Sequence, residues 1–288
     1  MRRLAVAALM PLLGLSLSAQ PARAVTTATF FHRPILSVGA NKSNNWSGYN
    51  QGFLEQGGRS FTSVSGDWIV PTATAHTKGT AAYSATWTGI GGGCVDASCG
   101  FTDPTLIQAG TEQDVDSSGK ATYSAWWEVI PLPSTTISGM TVSAGDHMHV
   151  AIGQTAPQVW SITVQDVSKK HSFTQLIPYS SSYATAEWIE ETPVIISNSG
   201  NVGVGPLPNL STVNFDLATA NDANAKLKPS EEIQLVDSNN KPLATPSSPD
   251  TDTDGFNDCA YASSCAAPST SSSTAGHGVR QHHAARRR

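Results

Sequence analysis

Charged and aromatic side chains are scarce in this chain: 14% of its 288 residues are Asp, Glu, Lys or Arg, and 7% are Phe, Trp or Tyr. Helix-rich enzymes run on Ala, Leu, Glu, Lys and Arg, so a mainly helical architecture is disfavoured from the start. No apolar run after residue 17 approaches the roughly 20 residues of a membrane-spanning helix. Cysteine is limited to four residues in two close pairs, Cys94 with Cys99 and Cys259 with Cys265. Neither pair has the two-residue gap of a zinc or thioredoxin motif, which argues against metal or redox use. Familiar hydrolase signatures are missing too. The chain has no His-Glu-x-x-His, Gly-x-Ser-x-Gly or Gly-x-x-x-x-Gly-Lys, and no Asp-Thr-Gly or Asp-Ser-Gly triplet. With the cysteines expected to pair, a thiol nucleophile is disfavoured as well.

Small hydroxyls are abundant, with 35 Ser and 29 Thr. The formal charge of −5 hides an asymmetry, because Arg2, Arg3 and Arg23 precede the body and Arg280, Arg286, Arg287 and Arg288 follow it. Without these seven the body carries ten basic against 22 acidic residues, a balance of −12. Nucleic acid and an anionic membrane are therefore not its expected partners. Met1-Arg2-Arg3, an apolar run over 4–17 and Ala22-Arg23-Ala24 read as a signal peptide over 1–24, so the chain is expected to be secreted. In an oxidising compartment, two local disulfides, Cys94–Cys99 and Cys259–Cys265, come first among the three connectivities.

Residues 25–44 lack periodicity and read as an N-terminal arm or short pro-segment. From Asn45 onward, β-rich stretches recur about every ten residues between Gly, Pro, Asn, Asp and Ser, the pattern of an all-β sandwich or barrel. Strands are expected at 46–53, 61–70, 82–90, 105–113, 121–130, 147–155, 159–167, 172–177, 185–189, 212–216 and 232–236, and one weak helix at 217–227. The domain is placed at 45–262. Beyond about 245 the composition turns to Ser, Thr, Pro, Ala and Asp, and a tail over 263–288 is expected to be disordered. Within this region Asp250, Asp252, Asp254 and Asp258 stand at calcium-loop positions 1, 3, 5 and 9, with Gly255 at 6 but Tyr261 at 12. A solvated acidic turn before a final strand is the first reading and a structural calcium site the second. His147 and His149 share a strand face but lack an evident third metal ligand. Asn45 and Asn209 begin Asn-x-Ser sequons.

Period two sorts three strands into faces. Gln108 shares a side with Glu112, and Trp126 with Glu128, while Glu187 points away from Ala186 and Trp188. Periodicity alone makes these polar outward positions. Trp46, Trp68, Trp127 and Trp188 read as core.

The order of these segments resembles the glutamic peptidases, or eqolisins. The likeness runs through Asn45-Trp46-Ser47-Gly48, Ser65-Gly66-Asp67-Trp68-Ile69-Val70-Pro71, Trp87-Thr88-Gly89-Ile90-Gly91 and Leu106-Ile107-Gln108-Ala109-Gly110. It continues through Ala125-Trp126-Trp127-Glu128, Gly145-Asp146 and Ala184-Thr185-Ala186-Glu187-Trp188-Ile189, and thins after Glu191. The resemblance implies an antiparallel, concanavalin-like two-sheet β-sandwich with the active site on the concave face of one sheet. It also implies a catalytic pair, Gln108 and Glu187, in a cleft lined by Trp87, Glu112, Trp126 and Glu128. The implied activity is that of a cofactor-independent acid endopeptidase, acting as a monomer on proteins or peptides. Two positions depart from the family pattern: Gly91 stands where an Asp is usual, and Ile130 where an aromatic precedes Pro131. The alternative is a secreted, non-enzymatic module binding carbohydrate or peptide. Such a module has no need of both Gln108 and Glu187.

Overall fold

The computed structural model describes residues 29–32, 37–39, 41–196 and 202–269. The expected signal peptide, residues 25–28, 33–36 and 40 of the arm, and the tail from 270 onward lie outside the described residues. Strands used below are β1 (Trp46–Gly52), β2 (Ser63–Ile69), β3 (Ala85–Gly91), β4 (Leu106–Val115), β5 (Ala121–Val129), β6 (His147–Ala156) and β7 (Val159–Asp166). They continue with β8 (His171–Pro178), β9 (Thr185–Glu191), β10 (Val213–Ala220), β11 (Glu232–Val236), β12 (Pro242–Pro246) and β13 (Phe256–Ala260). No α-helix occurs among the described residues; Pro229–Glu231 makes one 3₁₀ turn.

Two antiparallel sheets pack face to face, as the sequence predicts. The first runs β5-β4-β3-β9-β1-β11, and the second β8-β7-β6-β2-β10-β13-β12-β11. Strand β11 belongs to both, so one long edge of the sandwich is continuous. Between the sheets lie Trp68, Trp160, Trp188, Tyr49, Phe215 and Phe256 with aliphatic residues from both inner faces. Each buried Trp removes roughly 200 Å² from water, on the order of 5 kcal/mol of transfer free energy before entropy is counted. Strands β1, β3 and β9 are buried along their whole length, which means that the outer face of the first sheet is covered as well.

The expected helix at 217–227 is absent. Leu217 sits at φ +53° in a bulge of β10, and Asn221 and Asp222, both at positive φ, turn the chain back as a hairpin. The spacing of Leu217, Ala218, Leu227 and the intervening alanines imitates a helical stripe, but an Asn-Asp pair is a strong turn former. Chain beyond 245 is also more ordered than its composition suggests. Strand β13 pairs with both β10 and β12, and the expected Cys94–Cys99 and Cys259–Cys265 bonds are formed.

Candidate active site

Residues opposite one another on neighbouring strands point to the same face. Glu128, Gln108, Gly89, Glu187 and Asn50 are paired in turn across β5, β4, β3, β9 and β1, and so form one row on the outer face of the first sheet. The next row holds Trp126, Gly110, Trp87 and Ile189, and the one beyond it Ser124, Glu112, Ala85, Glu191 and Trp46. Gly89 leaves a gap in the first row. A Cβ there would lie 2.9 Å from the Ile107 carbonyl oxygen and 3.0 Å from Gln108 Cβ. With strands about 4.8 Å apart, the backbones at Gln108 and Glu187 are about 10 Å apart, leaving room for a reacting carbonyl and a water.

These positions are not open to solvent, as alternation alone suggests. Gln108, Glu128, Glu187, Trp87 and Trp126 are all completely buried. Several of their polar atoms nevertheless have no hydrogen-bond partner: Gln108 Oε1, Glu128 Oε1, Trp126 Nε1, Asn50 Oδ1 and both oxygens of Glu187. Buried polar atoms are almost always paired, so this concentration needs an explanation other than folding.

Burial pushes the Glu187 carboxyl well above the usual carboxylate range, and the charge of Asp103 adds to the rise. The Thr185 hydroxyl and the amides of Gly93 and Gly91 pull it down. Gln108 has no part in this: its Nε2 donates to Glu128 Oε2 at 2.9 Å and to the carbonyl of His32. Glu128 is itself raised to about 7, chiefly by burial.

His32 had no signal in the sequence. It lies in the cleft, fully buried, with its imidazole stacked on Trp126 at 3.9 Å and 12°. Its Nε2 is 3.3 Å from Glu112 Oε1, and its Nδ1 is 3.4 Å from Glu191 Oε2. Glu191 is four residues beyond Glu187 on the same strand face, a position that period two makes legible. Its carboxylate also accepts from Trp87 Nε1 at 2.8 Å and Asn45 Nδ2 at 3.2 Å. Asn45 is completely buried, so its sequon is closed to modification.

Trp46, read as core, is buried in the hydrophobic cluster on the site face, edge-on against Trp87 at 4.9 Å and 75°. Trp127 is on the core side but only half-buried. Both departures from the family pattern are accommodated locally. Gly91 has φ +102°, and a Cβ on it would collide with the Thr105 carbonyl, so the backbone rejects an Asp there. The nearby Asp103 supplies a buried carboxylate, accepting from Thr105 N at 2.9 Å and Ala184 N at 3.2 Å. Ile130 packs against the cluster of Trp46, Trp87 and Trp126.

The remaining sequence candidates lie elsewhere. His147 Nε2 and His149 Nδ1 contact the two oxygens of Asp67 at 2.7 and 2.6 Å, which accounts for both rings. Asp250 and Asp254 lie close together, but the third carboxylate within 4.8 Å is Asp216 on β10. Asp252 is exposed, and Asp258 is fully buried beside Ser47, so neither joins that group.

A carboxyl and a carboxamide thus face each other across a glycine gap on the buried outer face of a β-sandwich. Comparison with known proteins gives the family: residues 44–255 match the Peptidase A4 family. Aspergillopepsin-2 of Aspergillus niger is 27% identical over 209 residues, 66% of this chain and 68% of that protein. Scytalidopepsin B of Scytalidium lignicola is 30% identical over 111 residues, 38% of this chain and 37% of that protein. The fold matches the crystal structure of scytalido-glutamic peptidase with a transition state analog inhibitor, with a TM-score of 0.59 at 21% identity over 75% of this chain and 98% of that one. The chain belongs to the peptidase A4, or eqolisin, family, and it is a peptide hydrolase.

Proposed function

We propose that the chain is a secreted, acid-acting endopeptidase that hydrolyses peptide bonds through Glu187, Gln108 and one water, with no covalent intermediate and no cofactor. The observation that carries this reading is the row in which Gln108 and Glu187 flank Gly89, both buried and both with unpaired polar atoms. A peptide laid across the gap places its carbonyl oxygen against Gln108 Nε2. Glu187, as carboxylate, takes a proton from water while the water oxygen attacks the carbonyl carbon. Gln108 donates to the oxygen that gains negative charge. The proton then passes from Glu187 to the departing nitrogen, the C–N bond breaks, and the carboxylate is restored. An amide keeps its donor at any pH, whereas a His base is already protonated in acid.

Burial favours the neutral form of Glu187, and water entering the cleft would favour its ionisation. Glu128 acts as a backbone anchor, accepting from Gln108 and from the main-chain amide seated beside it. Two disulfides fit an exported chain. Hydrolysis of a denatured protein at about pH 4 tests the assignment. Glu187→Gln is expected to lower kcat by about 10²- to 10⁴-fold and Gln108→Ala by about 10²- to 10³-fold. Full-rate cleavage by a folded Glu187→Gln variant would exclude the mechanism.

A further inference from the structure

The donors that serve Glu187 do not come from its own row. Gly91 and Gly93 present backbone amides to its carboxyl and Thr185 presents a hydroxyl, although none closes a hydrogen bond to it in this structure. Only glycine allows the approach at 93, because a Cβ there would lie 2.6 Å from Glu187 Oε1 and collide with Asn50 Oδ1. Gly93 N also donates to Thr185 Oγ1 at 3.3 Å, which leaves the hydroxyl proton of Thr185 free to turn to the carboxyl. These donors belong to two segments far apart in the chain, the loop that leaves β3 and the residues that open β9. One residue joins them. Asp103 N donates to the Gly93 carbonyl at 2.9 Å, and Asp103 Oδ2 accepts from Ala184 N at 3.2 Å. Its other oxygen accepts from Thr105 N at 2.9 Å and Thr105 Oγ1 at 2.7 Å, so the side chain is fixed from two directions. Asp103 is only 4% exposed, and a carboxylate so deeply buried depends on such bonds.

We propose that Asp103 is a positioning residue for Glu187: it clamps the Gly93 segment to the Ala184–Thr185 segment, and so holds in place the amide and hydroxyl donors that an ionised Glu187 needs as general base. This deepens the peptidase reading and rests on it for the role of Glu187. The clamp also carries charge. The groups beside Glu187 in its row are neutral: Asn50 from β1, Gly89 from β3 and, across the gap, Gln108 from β4. Glu128 stands at the far end of that row, Glu191 lies four residues further along β9, and the exposed Asp96 accepts from Ser98 N at 2.8 Å. Asp103 is therefore the negative charge that bears most directly on Glu187, and it adds to the rise that burial causes. One residue thus organises the donors that favour the carboxylate and supplies the charge that opposes it.

Three measurements on the full-length chain test the proposal. Hydrogen exchange read by NMR is expected to show the Gly93 and Ala184 amides exchanging at least tenfold faster in Asp103→Ala than in wild type, while Ile162 and Val164 of β7 keep their rates. Unchanged protection at Gly93 and Ala184 would overturn the clamp, whatever the enzyme does. On a peptide substrate at pH 4, Asp103→Ala is expected to lower kcat by about 10²-fold with KM changed less than threefold. An unchanged kcat would overturn the positioning role. Asp103→Asn keeps one acceptor oxygen and loses the charge, so its kcat is expected to fall less than tenfold. A base relieved of a neighbouring negative charge ionises at lower pH, so in Asp103→Asn the ratio of kcat/KM at pH 3 to that at pH 5 is expected to rise about threefold. A ratio equal to that of wild type would overturn the part assigned to the charge. Wild type that cleaves nothing at any acid pH counts against the peptidase reading, and the exchange rates still decide the clamp.

Discussion

His32 and the carboxyl groups packed around it set each other's charge state. Three carboxyl groups face the imidazole: Glu112 from β4, Glu128 from β5 and Glu191 from β9, with Asp114 further along β4. Burial raises Glu128 and Asp114 to about 7 and also raises Glu191. Glu112 behaves oppositely: burial would raise it, but His32 and Ser124 bring it below its ordinary value. The sign follows. A carboxylate depressed by its cationic partner stabilises the contact above the carboxylate range and loses that effect as pH falls through its own lowered pKa. The raised imidazole stabilises it below 6.5 and loses the effect only as pH rises through about 10. The Glu112–His32 pair is therefore strongest between these limits, and Glu112→Gln is expected to lower the melting temperature more at pH 6 than at pH 3, as read by scanning calorimetry. Of these residues, Gln108, Glu112, Glu128 and Glu187 were legible by alternation and resemblance. His32 was not, because a segment without periodicity does not declare what it covers.

At the scale of elements, the strands were legible and the connections were not. Eleven expected strands have counterparts because Gly, Pro, Asn and Asp punctuate a chain of alternating faces. Strand β12 escaped because prolines stand at both its ends, whereas β13 is the final strand expected after the acidic turn. The loop between β3 and β4 shows what a connection adds. Cys94–Cys99 closes it, Asn50 Nδ2 donates to the Cys94 carbonyl at 2.9 Å, and Gly93 N donates to Thr185 Oγ1 at 3.3 Å. This ties the wall of the cleft to the row that holds Glu187. The bond spans a sequence separation of 5, so chain entropy credits it with only about 2 kcal/mol. Replacing both cysteines by Ser is therefore expected to lower the melting temperature by roughly 5 °C while reducing kcat/KM about tenfold. Unchanged kcat/KM in that variant would show that the wall does not position the site.

At the scale of the whole molecule, charge and burial both favour folding in acid. The body's charge of −12 is softened there, and many of its carboxyl groups are buried where only the neutral form is comfortable. Burial raises Asp258 to about 7 and moves Glu190 and Glu187 well above their usual range. Groups raised in the folded state contribute stability fully below their unfolded pKa, near 4, and lose it as pH rises through the folded value. The Asp67 clamp has its own window: lowered Asp67 contributes above 3.8 and raised His147 below 6.5, so the pair is fully formed between those values, pH 4 included and pH 8 not. Together these shifts are worth on the order of a few kcal/mol. A melting temperature roughly 5–15 °C higher at pH 4 than at pH 8 is expected, and scanning calorimetry at the two pH values reads it directly. The unpaired atoms along the Gln108–Gly89–Glu187 row bear on the protein's history as well as its chemistry. Selection for turnover keeps polar groups where selection for thermal endurance favours aliphatic ones. A descendant released from the need to cut peptides would be expected to fill this row with valine and leucine and to become sturdier for it.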